Sequence, residues 1–464
     1  MLKSNKFWSY APYTPIMSEK RDIYICRIAP DEYAIRFDWL GQNGEYSVFV
    51  RERGADDFVL AGKTTQKSFE ITHLKTQTDY EFFVALGEQK SAVRLARTGK
   101  TVGYVVNYLH PDDTYYDFSG KYLCSPSLVR HPDGFWLASM DLFKGGYPQN
   151  LTLIFRSDDD GKTWNYVSEL FPCFWGKTFI HNGELYMLSV STEYGDLLIG
   201  KSTDGGKTFS RPVTLFYGSN GKNGETGVHK NPTPVVIHDG RIWNTMEWGS
   251  WGRGYHAVMV MSAPVDSDLL NPDSWEFTPP VPFDKNWEGV PKGETPGNLE
   301  GVLVEVDGTL HNFTRFMMHG LERNWGLITD YIVTAPDQPV KYNGLIEFPC
   351  NHTKFDIKYD SVSKTYYAIG SRIYDGKLPS ARNLLSLLTS PDCKNWTVAE
   401  DLLDYRHESA DEVGFQYVNM QFDGEDIVYL CRTAINGAHN FHDSNYSTFH
   451  RIVNFRRYSK NEQK

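Results

Sequence analysis

From Asp22 to Thr98, apolar and polar residues alternate in short runs, the period that sends every second side chain of a strand to one face. Seven runs follow in order: DIYICRI, YAIRFDWL, YSVFVRE, FVLAG, SFEITHL, DYEFFVAL and SAVRLAR. Strands this short and this close predict a β-sandwich. From Tyr104 onward a different unit recurs, an apolar strand, a tight turn and a second apolar strand. The copies read SPSLVRHPDGFWLASMD, WGKTFIHNGELYMLSVS, NPTPVVIHDGRIWNTME, LEGVLVEVDGTLHNFTR, KFDIKYDSVSKTYYAIGSR and QYVNMQFDGEDIVYLCR. Their turn residues (Gly134, Gly183, Gly240, Gly308, Ser363, Gly424) lie 49 to 68 residues apart, room for one four-stranded blade each. The expected architecture is all-β: an N-terminal arm over residues 1–20, a sandwich over 21–100 and a six-bladed β-propeller over 101–464.

Composition agrees with many short strands and turns, since aromatics make up 14% of the chain and glycine and proline number 39 and 23. With 58 acidic against 47 basic residues and no basic block, nucleic acid is not an expected partner. The opening MLKSNKFWSYAPYTP has no apolar run of signal-peptide length and nothing downstream approaches a membrane span, so a cytoplasmic chain without a membrane partner is expected. Six scattered cysteines without CxxC pairs read as buried thiols rather than disulfides or a metal site. No nucleophile elbow, Walker loop, GxGxxG or HExxH is present, and no cofactor is expected.

Two segments, Ser157-Asp158-Asp159-Asp160-Gly161-Lys162-Thr163-Trp164 and Ser202-Thr203-Asp204-Gly205-Gly206-Lys207-Thr208-Phe209, match S-x-D-x-G-x-T-[WF]. A degenerate third copy stands at Ser390-Pro391-Asp392 with Trp396. On these motifs residues 104 to 464 resemble the sialidase superfamily of Asp-box propellers. HLKTQTDYEFFV, with Tyr80 as corner tyrosine, resembles fibronectin type III. The resemblance implies that Asp159 and Asp204 are structural and that chemistry sits on the opposite face.

That face is reached by the start of each blade's first strand and the end of its second. Counting from the turns gives Asp141, Val190, Glu247, Arg315, Arg372 and Arg432 at the second-strand ends, and Lys230, Glu300, Lys354 and Gln416 at first-strand starts. Charges following apolar strands are costly to bury unless paired or solvated. They form either a ring of ion pairs plugging the axis or a funnel for an anionic ligand, because converging guanidiniums grip a carboxylate through paired bonds. The sialidase family holds its acidic sugar with three arginines and uses a Tyr/Glu pair as nucleophile and an Asp as acid/base. Here the chain departs from the family, reading Cys124-Ser125-Pro126 where its first Arg-Ile-Pro should stand, while Lys230 precedes Pro232 at that spacing in the third repeat.

Glu300, Glu247 and Asp141 are the candidate catalytic acids. Arg315, Arg372, Arg432, Lys230, His229, Lys354, Gln416, Trp248 and His442 are the candidate substrate contacts, with Trp251 and Tyr255 beside Trp248 as a sugar-stacking wall or as packing. His319, His407 and His439 fall near loop ends as well. Three activities fit: an exo-acting hydrolase taking a terminal acidic sugar by paired carboxylates, a lyase eliminating across a uronate with a His or Tyr base, and a carbohydrate-binding protein without catalysis. The expected partner is an oligosaccharide or glycan, and homo-oligomerisation stays open.

Overall fold

The computed structural model describes residues 22–219, 225–292, 297–317 and 325–459. The predicted arm and His319 lie outside the described residues. Between Tyr24 and Arg97 the chain forms two sheets. One joins Tyr24–Pro30, Ile35–Leu40 and Ser68–Ile71; the other joins Val59–Thr64, Tyr46–Glu52, Asp79–Leu86, Gln89–Lys90 and Arg94–Arg97. The short Gln89–Lys90 strand is one more than the sequence pattern predicts, because two residues carry no readable alternation. Ile35, Phe37, Trp39, Tyr46, Val48, Phe82 and Val84, at alternate positions, are buried in a shared core. The Tyr80 hydroxyl accepts the Lys75 amide at 2.9 Å, tying that strand to backbone upstream.

Six antiparallel sheets follow in chain order. Each of the first five runs from an inner strand outward, and the inner strands touch their neighbours around a ring in which the first, Tyr122–Arg130, meets the sixth, Gly414–Asp423. This is a propeller arrangement. The sixth sheet takes its outermost strand, Tyr104–Tyr108, from the beginning of this region, where it pairs with Tyr446–Ile452. The closure ties the two ends of the ring together. In the third sheet the inner strand is broken into Gly227–His229 and Val236–His238, both paired to Arg241–Ser250.

The motif turns join third to fourth strands. In the first, Asp159 accepts the Thr163 amide at 2.9 Å and its hydroxyl at 2.7 Å, Ser157 accepts the Gly161 amide at 2.8 Å, and Trp164 Nε1 donates to Gly161 O at 2.9 Å. Asp204 repeats the pattern with Thr208. In the degenerate copy Asn395 stands where threonine does and still donates to Asp392. These carboxylates are committed to backbone closure at the end of the ring opposite the second-strand ends. All six cysteines are buried and free.

Candidate active site

Antiparallel pairing sets which residues share the opposite face. The second-strand ends pair with inner-strand starts as Cys124 with Asp141, Phe174 with Val190, His229 with Glu247, Leu299 with Arg315 and Gln416 with Arg432. Immediately after the inner-strand residue, four of these pairings break into a bulge, and the displaced residue adopts a left-handed backbone: Ser125 (φ 50°), Trp175 (φ 49°), Glu300 (φ 57°) and Tyr417 (φ 53°). A side chain with a Cβ is disfavoured there, and a bulge re-aims it away from its strand's alternation. Glu300 and Tyr417 are thereby brought together. The residue after Glu300 must be glycine, since a Cβ on Gly301 would collide with Asn312 and Thr245.

The Tyr417 hydroxyl donates to Glu300 Oε1 at 2.9 Å and accepts from Arg315 Nη1 at 3.0 Å, while that guanidinium pairs with Glu300 Oε2 at 2.7 Å. Burial alone would raise the Glu300 carboxyl; Arg315, His229 and the Tyr417 hydrogen bond outweigh it and hold the group below the usual carboxylate range. Burial raises the Tyr417 phenol, and Arg315 counteracts part of that rise.

Two more guanidiniums face the same phenol. Arg382 lies 5.9 Å from the Tyr417 ring centre and 5.4 Å from Phe441, and Arg432 lies 5.0 Å from Tyr417 and 5.4 Å from Phe143. Arg382 donates to Gln416 Oε1, and Arg432 to the His442 carbonyl. Both are buried and both leave Nε without a partner. Among the described residues no carboxylate lies within ion-pair distance of either. Burial, with Arg315 and Arg432 nearby, pulls Arg382 down to about 10.

Across the ring His229 shares a 2.7 Å hydrogen bond with Glu247 Oε2, and Glu247 Oε1 accepts the Gly301 amide at 3.2 Å. Trp175 meets His229 edge-on at 4.4 Å; Tyr194 hydrogen-bonds His256 Nε2 at 3.2 Å; Trp251 packs on His256 at 4.7 Å. Burial pushes His256 down to about 2, with His229 and Arg315 adding to the effect, so it is neutral. The result is an aromatic wall facing the arginines.

Asp141 is fully enclosed, bonded by Thr152, and burial pushes it up to about 7, so it lies beneath the face instead of opening onto it. Lys230 and Lys354 are sealed at the axis, donating to Asn231 O and Val418 O at 3.0 Å each, and burial pulls Lys230 down to about 7. They share that axis with Lys177, which donates to Asn419 Oδ1 at 2.7 Å. Arg372 turns outward to Asp401 on the fourth strand of its sheet at 2.7 Å, and Arg382, from the loop that follows, occupies the place expected for it. Trp248 packs edge-on against Phe216 in the core between sheets. Gln416 orients Arg382 rather than facing a ligand. His442 is drawn down to about 4 by burial and Arg432, and pairs with Asp443 at 2.8 Å. His407 is exposed, and His439 pairs with Asp443 at the rim. The structure adds Tyr417, Arg382, Trp175, Tyr194 and Glu193. Among the described residues no group of three His, Cys, Asp or Glu side chains is placed to hold a metal ion.

No family model matches the chain, and no curated protein matches its sequence. Solved structures do share its shape. An α-L-arabinofuranosidase from Fusarium graminearum, with an iminosugar inhibitor, is 11% identical with a TM-score of 0.51 over 76% of this chain and 98% of its own. The NanB sialidase of Streptococcus pneumoniae is 9% identical with a TM-score of 0.47 over 92% of each chain. An ulvan lyase of a polysaccharide-lyase family is 10% identical with a TM-score of 0.42 over 96% of this chain and 95% of its own. At such identities only the first comparison bears on this chain, and it bears on the fold alone, agreeing with an all-β propeller.

Proposed function

We propose that the chain is an exo-acting glycoside hydrolase of the sialidase-like type that removes a terminal acidic sugar from an oligosaccharide. In this reading the six sheets are six blades behind a fibronectin-type sandwich, and the motif turns are Asp-boxes. The observation that carries the proposal is the pair Arg382 and Arg432, two buried guanidiniums without a carboxylate partner among the described residues, beside the Tyr417–Glu300 hydrogen bond. Burying an unpaired charge costs several kcal/mol, and a carboxylate entering from solvent would offset that cost with two-bond contacts. The fold, shared with an arabinofuranosidase, is consistent with carbohydrate as substrate; the function is argued from the site.

The arrangement changes the expected chemistry. Instead of paired carboxylates at the anomeric carbon, Tyr417 is the nucleophile and Glu300 takes its proton. A neutral phenol approaches a carboxylate-bearing sugar without the repulsion an ionised carboxylate would meet, and Arg315 stabilises the oxygen as it gains charge. Glu247 orients His229 and the Gly301 turn and is not a reacting acid.

A lyase would use the same groups, Tyr417 as base and the arginines neutralising a uronate. Product analysis separates the two. Incubated with aryl glycosides of an acidic sugar, the protein should release a saturated sugar, and Tyr417→Phe should lower turnover by about a hundredfold to ten-thousandfold. An unsaturated product absorbing in the ultraviolet would instead establish elimination.

A further inference from the structure

Resting on the hydrolytic reading, we infer that Glu193 is the general acid that protonates the leaving oxygen of the glycosidic bond. It lies on the loop joining Glu184–Val190 to Leu197–Ser202, at the same end of the ring as Glu300 and Tyr417. Its Oε2 accepts from Gln149 Nε2 at 2.8 Å, which fixes the carboxyl while its side chain remains partly open to solvent. The next residue, Tyr194, belongs to the aromatic wall, its ring centre 6.1 Å from that of His229 and its hydroxyl bonded to His256. Glu193 and Glu300 thus stand at one end of the ring, on the aromatic and the arginine sides.

Among the described residues, three other acids of this end are committed. Asp141 is sealed beneath the face, Glu247 spends both oxygens on His229 and Gly301, and Asp443 is held ionised near 2 by its histidines. Desolvation raises the Glu193 carboxyl, with only the Gln149 bond and His229 opposing, whereas Glu300 is held low. Two carboxyls displaced in opposite directions are the pattern of a proton donor and a proton acceptor.

In the first step the glycosidic C–O bond breaks, its electron pair goes to the leaving oxygen, and the Glu193 proton follows. The Tyr417 oxygen bonds the anomeric carbon, and its proton passes to Glu300. In the second, water attacks that carbon, the bond to the Tyr417 oxygen breaks with its electron pair going to that oxygen, the ionised Glu193 takes the water's proton, and Tyr417 regains its own from Glu300. No other reactant is needed.

The test compares wild type and Glu193→Gln on two glycosides of one acidic sugar, one with a sugar alcohol as leaving group and one with a dinitrophenolate. The variant should lose about a hundredfold or more on the first, which needs a proton, while forming the glycosyl-enzyme from the second at a rate within about tenfold of wild type. Its alkaline limb of kcat/KM on the sugar leaving group should flatten, since that limb reports loss of the Glu193 proton as pH rises. Azide should accelerate the variant's second step and give the glycosyl azide, which a merely misfolded loop would not do. Equal losses on both leaving groups, or no loss on either, would overturn the assignment. An unsaturated uronate from wild type would overturn the hydrolytic reading itself, and the assignment with it.

Discussion

Arg315, Arg382 and Arg432 all approach Tyr417, but among the described residues only Arg315 has a carboxylate of its own. Its Glu300 partner makes it a positioning group as much as a ligand. Replacing it would leave a buried carboxylate unpaired and perturb the site before any substrate arrives. Arg382 and Arg432 are therefore the cleaner probes. Arg432→Ala should weaken binding of an acidic sugar by about 1.5 to 3 kcal/mol, the range for a hydrogen bond to a charged group, and leave a neutral analogue nearly unaffected in calorimetry. Equal losses for both ligands would mean that the guanidinium serves packing against Phe143 and Tyr417 alone.

At the scale of the strand, the ring of second-strand ends was legible because each repeat carries its own turn marker and antiparallel pairing converts a count of residues into a position. Glu247, Arg315 and Arg432 sit where counting put them, paired with His229, Leu299 and Gln416. The inner-strand starts were less legible. Gln416 was counted as the equivalent of Glu300, but its register places it with Leu299, and the true equivalent is Tyr417, one residue on, in the bulge. A bulge leaves no mark in an alternation pattern, so Tyr417, the proposed nucleophile, was missed by one position. Arg382 was unreadable for another reason: it belongs to a loop, and no periodicity assigns a loop residue to a pocket.

The motif turns were fully legible, because their chemistry is local, and they make a separate prediction. Asp204→Ala removes bonds to the Thr208 amide and hydroxyl and should lower unfolding free energy by about 1 to 3 kcal/mol in denaturant titration. The variant's kcat/KM should stay close to wild type, since the turn lies at the far end of its sheet.

For the whole molecule, residues 22–98 are bonded directly to the ring that follows them. Arg27 donates to the Val105 and Val106 carbonyls at 2.9 and 2.8 Å, on the strand that closes the ring. Tyr24 bonds Glu169 at 3.0 Å and Tyr116 at 2.8 Å, and Arg94 pairs with Asp113 at 2.7 Å with both side chains only 2% exposed. Removing residues 22–98 would leave Asp113 buried without its cation. In the full chain, Arg94→Met should destabilise by about 3 to 5 kcal/mol in denaturant unfolding, the effect of stranding one member of a buried pair. A loss below about 1 kcal/mol would show that the two parts are energetically independent.

In the proposed reaction a phenol, not a carboxylate, attacks a sugar held by Arg382 and Arg432. Trapping tests it most directly: the protein is incubated with a fluorinated glycosyl fluoride of an acidic sugar, digested, and the modified residue located by mass spectrometry. A single glycosyl adduct is expected on Tyr417, absent from Tyr417→Phe and strongly reduced in Arg432→Ala. An adduct on Glu300, Glu247 or any other carboxylate would contradict it.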